Sequence, residues 1–233
     1  MKLHRFIADL DFDENLIVIS DLELLNQWRN VLRLGAGDEV ILSDGKLGEA
    51  RVKILKLEKD LSEVEILEKW ENEAEPTVEL TLYLSLLKKG NFEWAAEKVT
   101  EIGVKRIVPV ITERTVKLNL NKKRLEKIVK EAAEQSGRGI IPKIGDTMDF
   151  KEALGDSKKN NDIGFIFEPG GNNVISRQAL DVNIAIFIGP EGGWSEKELD
   201  LAKLNGLSLV SMSKLIYRAE TAAIVASFLI LKT

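Results

Sequence analysis

The chain has 233 residues, 44% hydrophobic and 30% charged, a balance that suits a folded globular protein and excludes wholesale disorder. Its net charge of -5 argues against indiscriminate nucleic-acid binding. The absence of cysteine and a single histidine, His4, exclude thiol catalysis, Ser-His nucleophiles and nearly every zinc geometry, so no metal is expected.

The N-terminal segments HRFIADL (4–10), NLIVIS (15–20), DEVILSD (38–44), EARVKILKL (49–57) and SEVEILEKW (62–70) alternate apolar and polar residues between glycine-bearing turns. This pattern predicts a small β-barrel-like module. One helical interruption is expected at LELLNQWRNVLRL (22–34), with Leu24, Leu25, Trp28, Val31 and Leu32 on its apolar face. After ENEAEPTVEL the grammar changes. Apolar strands at 79–87, 106–113, 162–168, 183–189 and 207–212 alternate with helices at 91–103, 121–137, 195–206 and 219–232. That alternation predicts an α/β domain on a mostly parallel sheet buried on both faces, with the boundary near Glu73 to Pro76. No run reaches the roughly 20 apolar residues of a membrane span. The N-terminus lacks a secretion signal, so a cytoplasmic protein without a membrane partner is expected.

Three segments suggest chemistry. FIGPEGGWSEKEL (187–199) joins a buried strand to a helix through a glycine-rich turn, and Ser195 with Glu198 has capping-box spacing. Ligands of open α/β sheets lie at such strand ends. Gly192 and Gly193 leave backbone bare of side chains, although a tight connection without a ligand also explains them, and the string matches no Walker or dinucleotide motif. SMSKLIYRAETAAIVASFLI (211–230) carries Arg218, Glu220 and Thr221 into an almost wholly apolar helix. Glu220 or Thr221 can cap that helix, face a ligand, or both. In EAAEQSGRG (131–139), Gly137 suits a helix C-cap, and Arg138 beyond it is expected to be free to meet a phosphate or a base. Lysines and arginines cluster at 122–130, and Lys2, His4, Arg5, Arg29 and Arg33 form a second basic group; either is a solvated face or an RNA contact.

Taken in order, these segments with HRF (4–6), VLRLGAGDEVILSDG (31–45), EKVTEIGVKRIVPVITERT (97–115) and YRAETA (217–222) resemble the RsmE family of 16S ribosomal RNA uridine-N3 methyltransferases, of the SPOUT (α/β-knot) class. The resemblance implies a PUA-like RNA-binding β-barrel over 1–73 and a methyltransferase domain over 74–233 threaded through a trefoil knot. It also implies a homodimer, S-adenosyl-L-methionine as cofactor, and the 16S rRNA of the 30S subunit as partner. By analogy the cofactor lies against Phe167 and Glu168, the loop Ile188, Gly189, Pro190, Glu191, Gly192 and Gly193, and the bend Met212, Ser213, Ile216, Tyr217, Arg218, Ala219 and Thr221. Arg218 and Glu220 are the expected catalytic pair, Arg218 steadying negative charge on the uracil carbonyls and Glu220 orienting Arg218 or the cofactor. His4, Arg5, Arg29, Arg33, Arg114 and Arg138 are the expected RNA contacts. The run Met212 to Tyr217 departs from the family pattern, with Ser213 in place of a glycine and Leu215 in place of an arginine. A catalytically inactive RNA-binding factor, or a methyltransferase for another rRNA or tRNA nucleotide, is the alternative expectation.

Overall fold

A computed structural model describes residues 3–88, 90–115, 120–172 and 182–232. They fall into two units, Met1–Glu75 with Ala133–Ile140, and Pro76–Ala132 with Ile141–Thr233.

The first unit is built on strands β1 (Arg5–Ile7), β2 (Leu16–Ile19), β3 (Glu39–Ser43), β4 (Gly48–Leu57) and β5 (Ser62–Glu71), arranged as one sheet in the order β1-β3-β4-β5-β2. The pairs are antiparallel except β1 with β3, which is parallel. Helix α1 (Leu22–Asn26) starts on Asp21, whose carboxylate accepts the backbone N–H of Glu23 and Leu24. It continues as a π-helical turn, Gln27–Val31, instead of the uniform helix that the spacing predicts. The wider turn shifts the phase of the side chains. Trp28 therefore stays in the core against Phe6, with ring centroids 5.5 Å apart, whereas Val31, expected on the apolar face, is exposed. Phe6, Ile19, Leu25, Val40, Leu42, Val52 and Val64 complete this core.

Two buried carboxylates organise the polar interior of this unit. Glu49 is 1% exposed and accepts from the Arg5 guanidinium, from Trp70 Nε1 at 2.7 Å and from Asn72 Nδ2 at 2.7 Å. Glu75 takes a two-point contact from Arg138, with Nε at 3.0 Å and Nη2 at 2.8 Å, and also accepts the N–H of Ile140. Asn72 Nδ2 donates in addition to the Gly137 carbonyl at 2.9 Å. These bonds tie residues 133–140 to the sheet.

In the second unit β6 (Glu79–Ser85), α2 (Asn91–Ile102), β7 (Arg106–Ile111) and α3 (Lys122–Ser136, its last turn belonging to the first unit) are followed by β8 (Lys143–Ile144), β9 (Met148–Asp149) and α4 (Phe150–Asn160). Then come β10 (Ile163–Asn172), β11 (Asn183–Ile188), α5 (Glu196–Leu204), β12 (Ser208–Val210) and α6 (Ala219–Lys232). The sheet order is β12-β10-β11-β6-β7-β8, with β9 also on β7, and every pair is parallel. Both faces are covered, as the apolar strands require. Leu80, Leu82 and Leu84 of β6 pack with α2 and α6 through Ala95, Val99, Ala223 and Ile230. On the other face Tyr83 stacks on Phe187 at 4.4 Å, beside Phe150 of α4 and Trp194. The Tyr83 hydroxyl donates to Asp156 at 2.6 Å, and Arg106 Nη1 donates to the same carboxylate at 2.8 Å, which latches α4 onto β6 and β7.

Candidate active site

The end of β11 pairs with Phe167 inside β10, and Phe167–Pro169 of β10 and the turn after β11 form two walls of a cavity of about 540 Å3 inside the second unit. A volume of this order holds a cofactor-sized molecule. The remaining wall is the bend that leads from β12 into α6.

The turn after β11 is closed by a backbone hydrogen bond. Gly193 N donates to the Pro190 carbonyl at 2.8 Å, closing a β-turn with Gly193 at φ +68°. That amide is therefore engaged internally, whereas the sequence suggested that the glycine amides were bare. Ser195 and Glu198 form the expected capping box, and Glu198 has a second role: its Oε1 accepts the N–H of Glu113 at 2.9 Å. Trp194 ties the turn to β10, its Nε1 donating to the Phe167 carbonyl at 3.0 Å. Its indole lies so close to Gly189 that a Cβ there would stand 3.0 Å from the ring, so a side chain at 189 would displace the tryptophan.

After Phe167, β10 breaks register with β12 and regains it only at Asn172. Glu168 sits in that irregularity, half-buried, and lines the cavity. Burial pushes its carboxyl above the ordinary value, against the opposing pull of Arg114. Arg114 Nη1 donates to the Gly192 carbonyl at 2.8 Å, so this arginine braces the glycine loop from the exposed side.

The bend into α6 is shaped by side-chain hydrogen bonds. Leu215 N donates to Ser213 Oγ at 3.0 Å, and Ser213 Oγ lies 3.1 Å from the Tyr217 hydroxyl. Among the described residues only Arg33 and Leu47 are non-glycine positions with positive φ, so Ser213 needs no glycine-like backbone. Arg218 is exposed and its guanidinium has no ion pair among the described residues. Ala222 N donates to the Arg218 carbonyl at 2.8 Å, which opens α6. Glu220, in the first turn, is 9% exposed, and its Oε2 is buried without a hydrogen-bond partner.

Of the residues expected to hold a cofactor, Phe167, Glu168, Ile188, Gly189, Pro190, Glu191, Gly193, Met212, Ile216, Tyr217, Arg218 and Ala219 line this cavity, together with Glu220. Gly192, Ser213 and Thr221 do not, Gly192 and Ser213 being neighbours that shape its walls. Leu215, inside the expected bend, also lines it, as do Lys88, Asn91, Pro169, Trp194, Val210, Ser211 and Ala222, to which the sequence did not point. The glycine-tryptophan spacing in GPEGGW was the available signal for Trp194. The expected RNA contacts divide. His4, Arg29 and Arg33 are exposed in the first unit. Arg138 is not free, being buried against Glu75, and Arg5 is drawn to the buried Glu49.

The model of an RNA methyltransferase domain matches residues 73–231, and that of an RNA methyltransferase PUA domain matches residues 29–67. The ribosomal RNA small subunit methyltransferase E of Mesomycoplasma hyopneumoniae is 36% identical over 73% of this chain and 77% of its own length. That of Rickettsia conorii is 32% identical over 97% and 94%. The chain belongs to the small-subunit ribosomal RNA methyltransferase E family. The crystal structure of the family's Neisseria gonorrhoeae member, bound to S-adenosyl methionine, aligns with a TM-score of 0.90 at 28% identity over 99% of this chain and 98% of that one. The family fold, a PUA-like module followed by a parallel-sheet methyltransferase domain, is thus the fold of this chain.

Proposed function

We propose that the chain is an S-adenosylmethionine-dependent methyltransferase acting on N3 of a uridine in 16S rRNA of the small ribosomal subunit. The observation that carries this is the cavity between Phe167–Pro169 of β10 and the end of β11, walled by the glycine turn and the Arg218-bearing bend, in a chain whose family fold is known with the methyl donor bound. The cavity suits that donor chemically. Phe167, Ile188, Met212 and Ile216 offer apolar surface to an adenosine, and the buried, unpartnered Glu220 Oε2 offers a site for a cationic group. When bound, the cofactor supplies an activated methyl group. The protein contributes position and charge. Glu191 and Lys88 close one rim, Lys88 N donating to Glu191 Oε1 at 3.2 Å. Arg218, a cation on the lining without an ion pair among the described residues, steadies negative charge that develops on the uracil carbonyls.

Exposed His4, Arg29 and Arg33 would carry phosphate contacts, and among the described residues no helix is long and apolar enough to cross a membrane. The working unit is a homodimer, supported by the exposure of Leu215 and Ile216 beside the cavity and of Phe228 on α6. The trefoil knot and the cytoplasmic location follow from the same family reading.

The test is incubation of the purified protein with labelled S-adenosylmethionine and small subunits that lack the modification. Label in 16S rRNA, released on digestion as 3-methyluridine, is the expected result. Heat of cofactor binding without any label in RNA would favour an inactive relative instead.

A further inference from the structure

We propose that Glu168 is the group that accepts the N3 proton of the target uracil, an assignment that rests on the substrate reading above. In neutral uracil N3 carries a proton, and nitrogen becomes a competent nucleophile only as that proton leaves. The protein's one histidine, His4, does not line the cavity, so the acceptor is sought among the side chains that do.

The titratable side chains on the cavity wall are Lys88, Glu168, Glu191, Tyr217, Arg218 and Glu220. Lysine and arginine enter the reaction already protonated. The Tyr217 hydroxyl is engaged with Ser213, and the Glu191 carboxylate accepts from the Lys88 backbone. Glu220 is buried at the start of α6, 9% exposed, and gives an accepted proton less access to water than half-buried Glu168 does. Glu168 alone among these carboxylates is half-buried, lines the cavity and makes no hydrogen bond or ion pair among the described residues.

Its placement has a backbone cause. The register break between Phe167 and Asn172 takes Glu168 out of the β10–β12 ladder, and such irregularities re-aim side chains beside active sites. The charged groups around it are Arg114, across the glycine loop, and Lys88, Glu191, Arg218 and Glu220 on the lining. Burial outweighs the pull of Arg114 and leaves the carboxyl above its ordinary value, nearer to that of an effective general base.

The step balances. The N3–H bond breaks, its electron pair stays on nitrogen and the proton passes to a Glu168 oxygen. The nitrogen forms its bond to the donor's methyl carbon as the carbon–sulfur bond breaks, with that electron pair left on sulfur. Glu168 then releases the proton to solvent through its exposed side, beside Pro169.

The test compares wild type with Glu168→Gln and Glu168→Asp on small subunits lacking the modification. Glu168→Gln should lower kcat at neutral pH and saturating cofactor by about 100-fold or more, a loss well beyond any weakening of cofactor affinity read by calorimetry. Its residual rate should climb steadily with pH as N3 ionises unaided, whereas wild type should reach a plateau once Glu168 is deprotonated. Glu168→Asp should recover part of the rate. Independently of activity, carboxyl-labelled protein should show half-buried Glu168 titrating above the ordinary glutamate value in NMR. A Glu168→Gln rate within threefold of wild type with an unchanged pH profile would overturn the assignment. So would loss of cofactor heat in step with loss of rate, because Glu168 would then be a cofactor ligand. Wild-type protein that labels no RNA would instead remove the substrate reading, and this inference with it.

Discussion

Four glutamates divide the molecule. In the first unit Glu49 and Glu75 are buried and saturated, Glu49 by Arg5, Trp70 and Asn72, Glu75 by the Arg138 fork and the Ile140 amide. In the second unit Glu168 makes no such bonds and Glu220 keeps one oxygen buried and unpartnered. A buried carboxylate without donors costs stability, so a fold retains one where a ligand is to complete it. The same residue type is framework in one unit and machinery in the other, and the presence of partners tells them apart.

That contrast can be broken by mutation, and the largest effect should fall on stability. Glu49→Ala strands the Arg5 guanidinium and the Asn72 and Trp70 donors, and should cost about 3–5 kcal/mol in chemical denaturation, with a matching loss of soluble protein. Next is Arg218→Ala, expected to slow methylation roughly 100-fold, about 2.7 kcal/mol, while the melting temperature stays put. An unchanged rate with intact cofactor binding would remove Arg218 from the mechanism.

Glu220→Gln should behave oppositely to Glu49→Ala. Removing a buried charge that lacks a partner should leave thermal stability equal or higher by up to about 1 kcal/mol, yet weaken cofactor binding about tenfold. Glu168 gives a pH-dependent version of the same contrast. Its folded-state carboxyl lies above the unfolded value, so the folded protein binds the proton more tightly, and this contribution to stability is full at low pH and lost as pH rises through the folded value. Glu168→Gln should therefore be the more stable protein at neutral pH, with the advantage vanishing below about pH 4 in parallel thermal melts.

The smallest effect separates two arginines of the first unit. Arg29→Ala should flatten the salt dependence of RNA binding by about one phosphate contact without changing the melting temperature. Arg5→Ala should lower the melting temperature, because its guanidinium serves Glu49.

Much of this was legible in residue order. Every strand of the first sheet and the β6, β7, β10, β11 and β12 strands of the second overlap segments that alternation or continuous apolar character marks out, although β10 runs on to Asn172, past the expected 162–168. Helix α4 escaped notice. Its run FKEALGDSKKN is polar and carries Gly155, yet Asp149 and Glu152 form a capping box, and Phe150, Ala153, Leu154 and Ser157 make its buried face. The box was the readable sign. Around the cavity the glycine turn and the Arg218 bend were visible because glycine and a charge ahead of an apolar helix are local anomalies. The pairing of Arg138 with Glu75 and of Arg5 with Glu49 was not, because partners far apart in the chain leave no local pattern. The exposed-looking arginine after a helix cap was thus read as a phosphate ligand when it is a buried brace. Val31 misled for a related reason, since a π turn leaves no trace in apolar spacing.

The attachment of residues 133–140 to the first unit has a practical corollary for anyone dissecting the protein. A fragment ending at Glu75 would include the whole five-stranded sheet but not Arg138 or the Gly137 carbonyl, leaving the Glu75 carboxylate and one Asn72 amide proton without their mates. The module is discontinuous in the gene, so an excised N-terminal piece is a poor stand-in for it. Grafting it elsewhere would require stitching in the distal octapeptide as well.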